Sequence, residues 1–255
     1  MKRVLAVAAN TFRETVRERA LYNLVFFALL MTVSGLVLQQ LSIRQDEKIL
    51  KDVGLAAMDL FGTAIALLIG TGLVSKEIER RSLYPLLAKP ITRAEFFLGK
   101  FAGLVFTLLV NLAAMTVGLL LTLLLTGRRA DPLLFAAVYP MFLGLVLVVA
   151  FAMLFSTVGS SSTLAAVFTF GMVIASRFAD VVRNIRQVAP GVPQWLVDAL
   201  YALLPNGANF DFKGRVAYGD SVPLGVLAWV TAYAVSYVAV VLGIGLSAFQ
   251  SRDFQ

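Results

Sequence analysis

The 255 residues include no histidine and no cysteine. That removes imidazole acid–base catalysis, Ser-His-Asp triads, thiolate nucleophiles, disulfides and thiolate or imidazole metal sites. Few residues with chemistry to offer remain. Ser160, Ser161 and Ser162 form a run, but no lysine lies near them in sequence, and serines at a break between apolar runs serve as turn residues. Asp59 and the Arg177/Asp180 pair sit near the ends of apolar runs; a spacing of three suits a local ion pair on a helix. No G-x-x-x-x-G-K-[ST] phosphate loop occurs: Gly99-Lys100 lacks the upstream glycine and is followed by Phe101. Neither a catalytic residue nor a metal site is expected, and the chain is not expected to bind a cofactor.

The segment best built to do work is residues 75–100, SKEIERRSLYPLLAKPITRAEFFLGK. The helix before it should run through Ile78 to Arg81. Ser82 can cap a new short helix over 83–89, with Pro85 tolerated in its first turn and Pro90 ending it. Thr92 with Glu95 three positions on is a capping box that starts the next long helix. The short helix would present Leu83, Tyr84, Leu86 and Leu87 between two long rods. A rigid, partly apolar knob of this kind can receive a push and tilt both rods. The plainer reading is an ordinary basic loop.

Long apolar runs must position that knob. The 45 residues 132–176 carry no Asp, Glu, Lys or Arg. As helix they would span about 67 Å, roughly twice a ~30 Å hydrocarbon core, so they hold two crossings that turn at Gly159 to Ser162. The chain is 59% hydrophobic and 15% charged, with a mean hydropathy of +0.85, whereas soluble domains are about 25% charged. The expected fold class is an all-α integral membrane protein. Six transmembrane helices are expected over 20–43, 56–74, 101–127, 132–176 (a pair, the second able to reach Val182) and 221–251, all in one domain covering 1–255. No segment reads as a cleaved signal, since the first apolar run starts only after Arg19 and is too long. The net charge of +7 and pI near 9.9 read as cationic loops beside anionic lipid rather than as a nucleic-acid surface.

Six crossings put both termini on one side. Lys and Arg crowd the N-terminal segment and the 75–100 loop, which places that side in the cytoplasm. In the N-terminal segment Val4, Val7, Ala8, Thr11, Phe12, Thr15 and Val16 share one helical face, with Arg13 and Arg17 off it, as expected of a helix lying in the membrane interface. On the other side, residues 183–220 form a long connection. Pro190 and Pro193 break it, a short helix is expected over 194–204, and Trp195, Tyr201, Phe210, Phe212 and Tyr218 suit an interfacial belt.

The motif E-x-x-R-x-S-L-x-P-L-L-A-K-P-I-T-R-x-E-x-x-x-G-K, from Glu77 to Lys100, resembles the coupling-helix region of type 2 ATP-binding-cassette permeases. The opening A-x-N-T-F-R-E-x-x-R-E-R from Ala8 to Arg19 is similar to that family's connecting helix, and F-x-S-R-D-F from Phe249 to Phe254 to its tail. Within the family the chain looks closest to the group associated with multi-copper enzyme maturation. Ser82 departs from the glycine-threonine pair of many relatives, which bears on the local turn.

The resemblance implies a permease subunit, exporting cargo, in a bacterial cytoplasmic (inner) membrane. Its coupling residues would be Glu77, Arg81, Leu83, Tyr84, Leu86, Leu87, Lys89, Pro90 and Arg93, braced by Phe12, Arg13 and Arg17 of the connecting helix over residues 1–19. It further implies two ATPase subunits carrying ATP and Mg, and a second permease copy or a related chain. A periplasmic partner could dock on the outer loop. Ion coupling is the rival energy source, but no titratable group is expected at mid-membrane. Thr107, Asn111 and Thr116 place polar groups within the third span and are the candidates for lining a pathway, although such residues more often bond a neighbouring helix. A different class remains open: a scaffold or assembly factor that recruits partners through the outer loop and transports nothing.

Overall fold

The computed structural model describes residues 2–15, 26, 27, 30, 31, 33, 34, 46–79, 92–128, 131–159, 161–179, 181 and 193–251. Every regular element among them is helical: α1 (Lys2–Thr15), α2 (Asp46–Glu79), α3 (Arg93–Leu125), α4 (Leu134–Val158), α5 (Ser162–Arg177), α6 (Gln194–Leu203), a 3-10 turn (Gly207–Phe210), α7 (Lys213–Ala217) and α8 (Leu224–Ser251). Among the described residues α2, α3, α4 and α8 are long and apolar enough to cross a membrane. At 16 residues, α5 is about 24 Å long, shorter than a full core. It ends at Arg177, before Val182. Of the first expected span only six residues are described. All six are helical, and Phe27 and Met31 are buried.

The breaks between helices follow from local chemistry. Thr92 and Glu95 form the expected capping box: the Glu95 N–H donates to Thr92 Oγ1 at 3.2 Å, and the Thr92 N–H donates to Glu95 Oε2 at 3.0 Å. The α4–α5 break falls at the expected turn, where Ser161 caps α5 by accepting the Leu164 N–H. The end of α3 needs a left-handed residue, supplied by Gly127 with φ +76°. The Arg128 N–H then reaches back to the Leu123 carbonyl at 2.9 Å, which closes the helix.

Helix α4 sits at the centre, packed by α2, α3, α5 and α8. It is apolar on all sides, as a helix surrounded by others must be, with Val149, Ala150, Ala152 and Met153 fully covered. Its approach to α2 is close: a Cβ on Gly70 would lie 2.5 Å from Ala152 Cβ.

Helix α2 starts ten residues before the expected span 56–74, at Asp46, and takes in Lys48 and Lys51. The charge of Lys51 is tolerated there because Glu47 Oε1 lies at 2.7 Å and Asp131 Oδ2 at 2.8 Å, while Lys48 rests over the Tyr218 ring at 5.3 Å. Helix α1 does not stand alone on a surface. Its apolar face is covered by α3, along which it runs in the same direction.

Candidate functional site

Three elements converge on the first turns of α3. From one side comes α1. Val7 lies against Gly99, where a Cβ would come within 2.7 Å of the Val7 Cβ. Ala8 and Thr11 lie against Gly103, where a Cβ would sit 2.7 Å from both the Ala8 carbonyl oxygen and the Thr11 Cβ. One turn on, the Phe12 and Phe106 rings meet edge-on at 4.9 Å. The glycines are four apart, so they open one face of α3 to a neighbouring backbone. Thr11 and Thr15 are buried, and their hydroxyls donate to the carbonyls of Val7 and Thr11. Lys100, only 2% exposed, holds Glu14 at 3.7 Å and lies over the Phe96 ring at 5.7 Å.

From the other side comes the end of α8. Phe249 is buried, stacks on Phe96 at 6.3 Å and meets Phe97 at a tilt, 5.7 Å between ring centres. The Phe97 ring also fills the space beside Gly245. Arg93 donates from Nη1 to the Gln250 carbonyl at 2.9 Å. The base of α3 is therefore gripped on two faces, one turn after the capping box that starts it.

The expected site residues divide accordingly. Phe12 and Arg93 belong to this clamp, and Arg13 is exposed on the far side of α1. Glu77 lies in the last turns of α2. Arg17, Arg81, Leu83, Tyr84, Leu86, Leu87, Lys89 and Pro90 lie outside the described residues. Thr107, Asn111 and Thr116 are buried and turn back on their own helix, donating to the carbonyls of Gly103, Thr107 and Leu112. Among the described residues Asn111 Oδ1 accepts no hydrogen bond. The clamp residues Gly103, Glu14 and Phe97 were missed, although G-x-x-x-G at 99–103 is legible as a close-packing signal.

The opposite end of the bundle is held by charge. Asp59 Oδ2 receives both Lys213 Nζ at 2.6 Å and Arg177 Nη2 at 2.8 Å. The local Arg177–Asp180 pairing falls partly outside the described residues; Arg177 reaches across to α2. Nearby, Asp131 bonds Lys51 and accepts the Leu133 N–H at 2.9 Å. Burial by itself would raise the Asp131 pKa, but these bonds and the Lys51 charge outweigh it and hold the carboxyl below its ordinary range. The connection toward α8 is latched where the Asn206 N–H donates to the Tyr233 hydroxyl at 2.8 Å, with Phe210 wedged against Gly144.

Residues 5–254 match the model of the ABC-2 family transporter protein. This chain belongs to that family. It is a multi-pass membrane protein and the membrane component of an ATP-binding-cassette system, not the catalytic ATPase, and such components work with an ATPase partner. No curated protein matches the chain.

Proposed function

We propose that this chain is the permease subunit of an exporter, with six crossings and both termini on the cytoplasmic side of a bacterial inner membrane. Two ATPase subunits, carrying ATP and Mg, engage the knob at residues 83–89, and a second permease copy or related chain completes the pathway. One observation supports the reading above the others: α2 and α3 both extend beyond bilayer length, about 51 and 50 Å, and α3 is gripped by α1 and α8 just after the expected knob. A push on 83–89 would then move α3 together with its two partners rather than bend a loop. Asn111, whose Oδ1 accepts no hydrogen bond among the described residues, is the pathway candidate with acceptor capacity left for a polar cargo once the bundle rearranges.

The test is to purify the chain with whatever ATPase accompanies it and replace Leu86 and Leu87 with Asp. ATP hydrolysis stimulated by the permease should fall at least about tenfold, the equivalent of about 1.4 kcal/mol of lost coupling. Hydrolysis and transport at unaltered levels overturn the reading. The scaffold alternative draws on Trp195 and Tyr218, which are 70% and 71% exposed beside the latched connection. It is favoured instead if no ATPase co-purifies and Trp195→Ala abolishes capture of a partner.

A further inference from the structure

Between α2, α4 and α5 the bundle leaves a cleft of about 80 Å³, capped by the connection over 205–213. Its walls are apolar: Leu145, Val148 and Phe151 from α4, Met172 and Val173 from α5. It runs from Arg177 inward to Thr169, about 12 Å along α5. The rim is charged with both signs. Asp59 and Lys213 are the covered members, with side chains 18% and 16% exposed. Arg177 and Asp211 are the open ones, at 48% and 45%.

Depth and charge select one occupant. The rim gathers four charged side chains, which a hydrocarbon core excludes, while the throat inward of it is apolar. The apolar throat is therefore at acyl depth and the rim at headgroup depth. The guanidinium of Arg177 has five N–H donors in a planar fork, and among the described residues only Nη2 is engaged, by Asp59. It can take a phosphate while keeping that bond. Asp211 already holds Lys213, with Nζ 3.4 Å from Oδ2 and the Lys213 backbone N–H donating to Oδ1 at 3.2 Å, and its exposed side keeps acceptor capacity for an ammonium. The four rim charges, Asp59, Asp211, Arg177 and Lys213, balance one another, so a net-anionic headgroup would bring an unmatched charge, and a headgroup without phosphate would leave Arg177 unused.

We propose that this cleft binds a zwitterionic phospholipid of the phosphoethanolamine type, with its phosphate on Arg177, its ammonium on Asp211 and the first part of an acyl chain against Val148 and Met172. The inference needs the membrane setting but not coupling to an ATPase, so the two fail independently. The test uses the full chain in detergent micelles, photolabelled with a lysophosphatidylethanolamine carrying a diazirine on its chain, and peptide mass spectrometry to map the label. Label should concentrate in 141–151 and 169–176, at least about fivefold above the outward face of α8 at Val235 and Val240, which are 59% and 61% exposed. A monoacylglycerol with the same chain should label both faces alike. Arg177→Gln should cut the cleft label about tenfold and leave the α8 label unchanged. Val173→Trp fills the throat without touching an ion pair and should cut it likewise, which covers the case in which Arg177→Gln fails to fold. Equal labelling of the two faces by the phospholipid, or cleft label that survives Val173→Trp, overturns the proposal.

Discussion

The two ends of this bundle are held by different physics. At the α1 end, backbone meets backbone: Gly99 and Gly103 let α1 lie where any side chain would collide, and Phe97 and Phe249 fill the space on the other face. At the other end, ion pairs cross between elements: Asp59 of α2 with Arg177 of α5 and Lys213 of α7, and Lys51 of α2 with Asp131 just before α4. Close packing is short-ranged and has no alternative partner, so a displacement of one helix carries the next. Charged side chains can exchange partners with water, a ligand or each other. The proposed transmission of a push suits the first kind of contact, and the proposed lipid cleft lies beside the second.

The comparison breaks most sharply at Gly103. Gly103→Leu should force α1 off α3 and cost about 3 kcal/mol or more, read as a lowered unfolding midpoint that does not change with salt. Gly127→Ala serves as the control. A Cβ there meets nothing, but φ is +76°, so its cost should be only about 1 kcal/mol. If the two substitutions cost the same, the clamp is not a close-packing device.

The charged end gives two smaller effects. Asp131→Asn should cost about 2 kcal/mol at neutral pH, less than loss of a wholly buried pair, because Lys51 keeps Glu47. Its pH dependence is fixed in sign. The folded pKa of Asp131 is depressed, so its stabilisation is complete above its unfolded value near 3.9 and is lost as pH falls through the folded value. The gap between the natural chain and Asp131→Asn should therefore narrow only below about pH 4, followed by intrinsic fluorescence at stepped pH; a gap that closes between pH 5 and 7 contradicts the assignment. Asp59→Asn removes the carboxylate that holds Arg177, while Lys213 keeps Asp211 at 3.4 Å, and should cost about 1 kcal/mol. Raising salt from 0.05 to 0.5 M should shrink that difference while leaving the Gly103→Leu difference alone. A salt response at Gly103, or none at Asp59, would erase the contrast between the ends.

Much of the scaffold was legible because it is local. The T-x-x-E box at Thr92, the serine cap at Ser161, the break at 159–161 and helix Gln194–Leu203 each depend on residues within a few positions, so spacing and residue type suffice. The ten residues by which α2 precedes its expected span are rich in charge; Glu47 four positions before Lys51 is a local helical pairing, but the second partner, Asp131, lies 80 positions away.

By itself, then, the sequence determined the capped start of α3, the break between α4 and α5 and which stretches suit a bilayer, since each of those balances is struck within one or two turns. Only the tertiary structure decided that Asp59 joins Arg177 and Lys213, 118 and 154 positions distant. It alone laid α1 along the glycine face of α3. Such pairings depend on which helix faces which, and that is settled by the packing of the whole bundle around α4 rather than by any one segment.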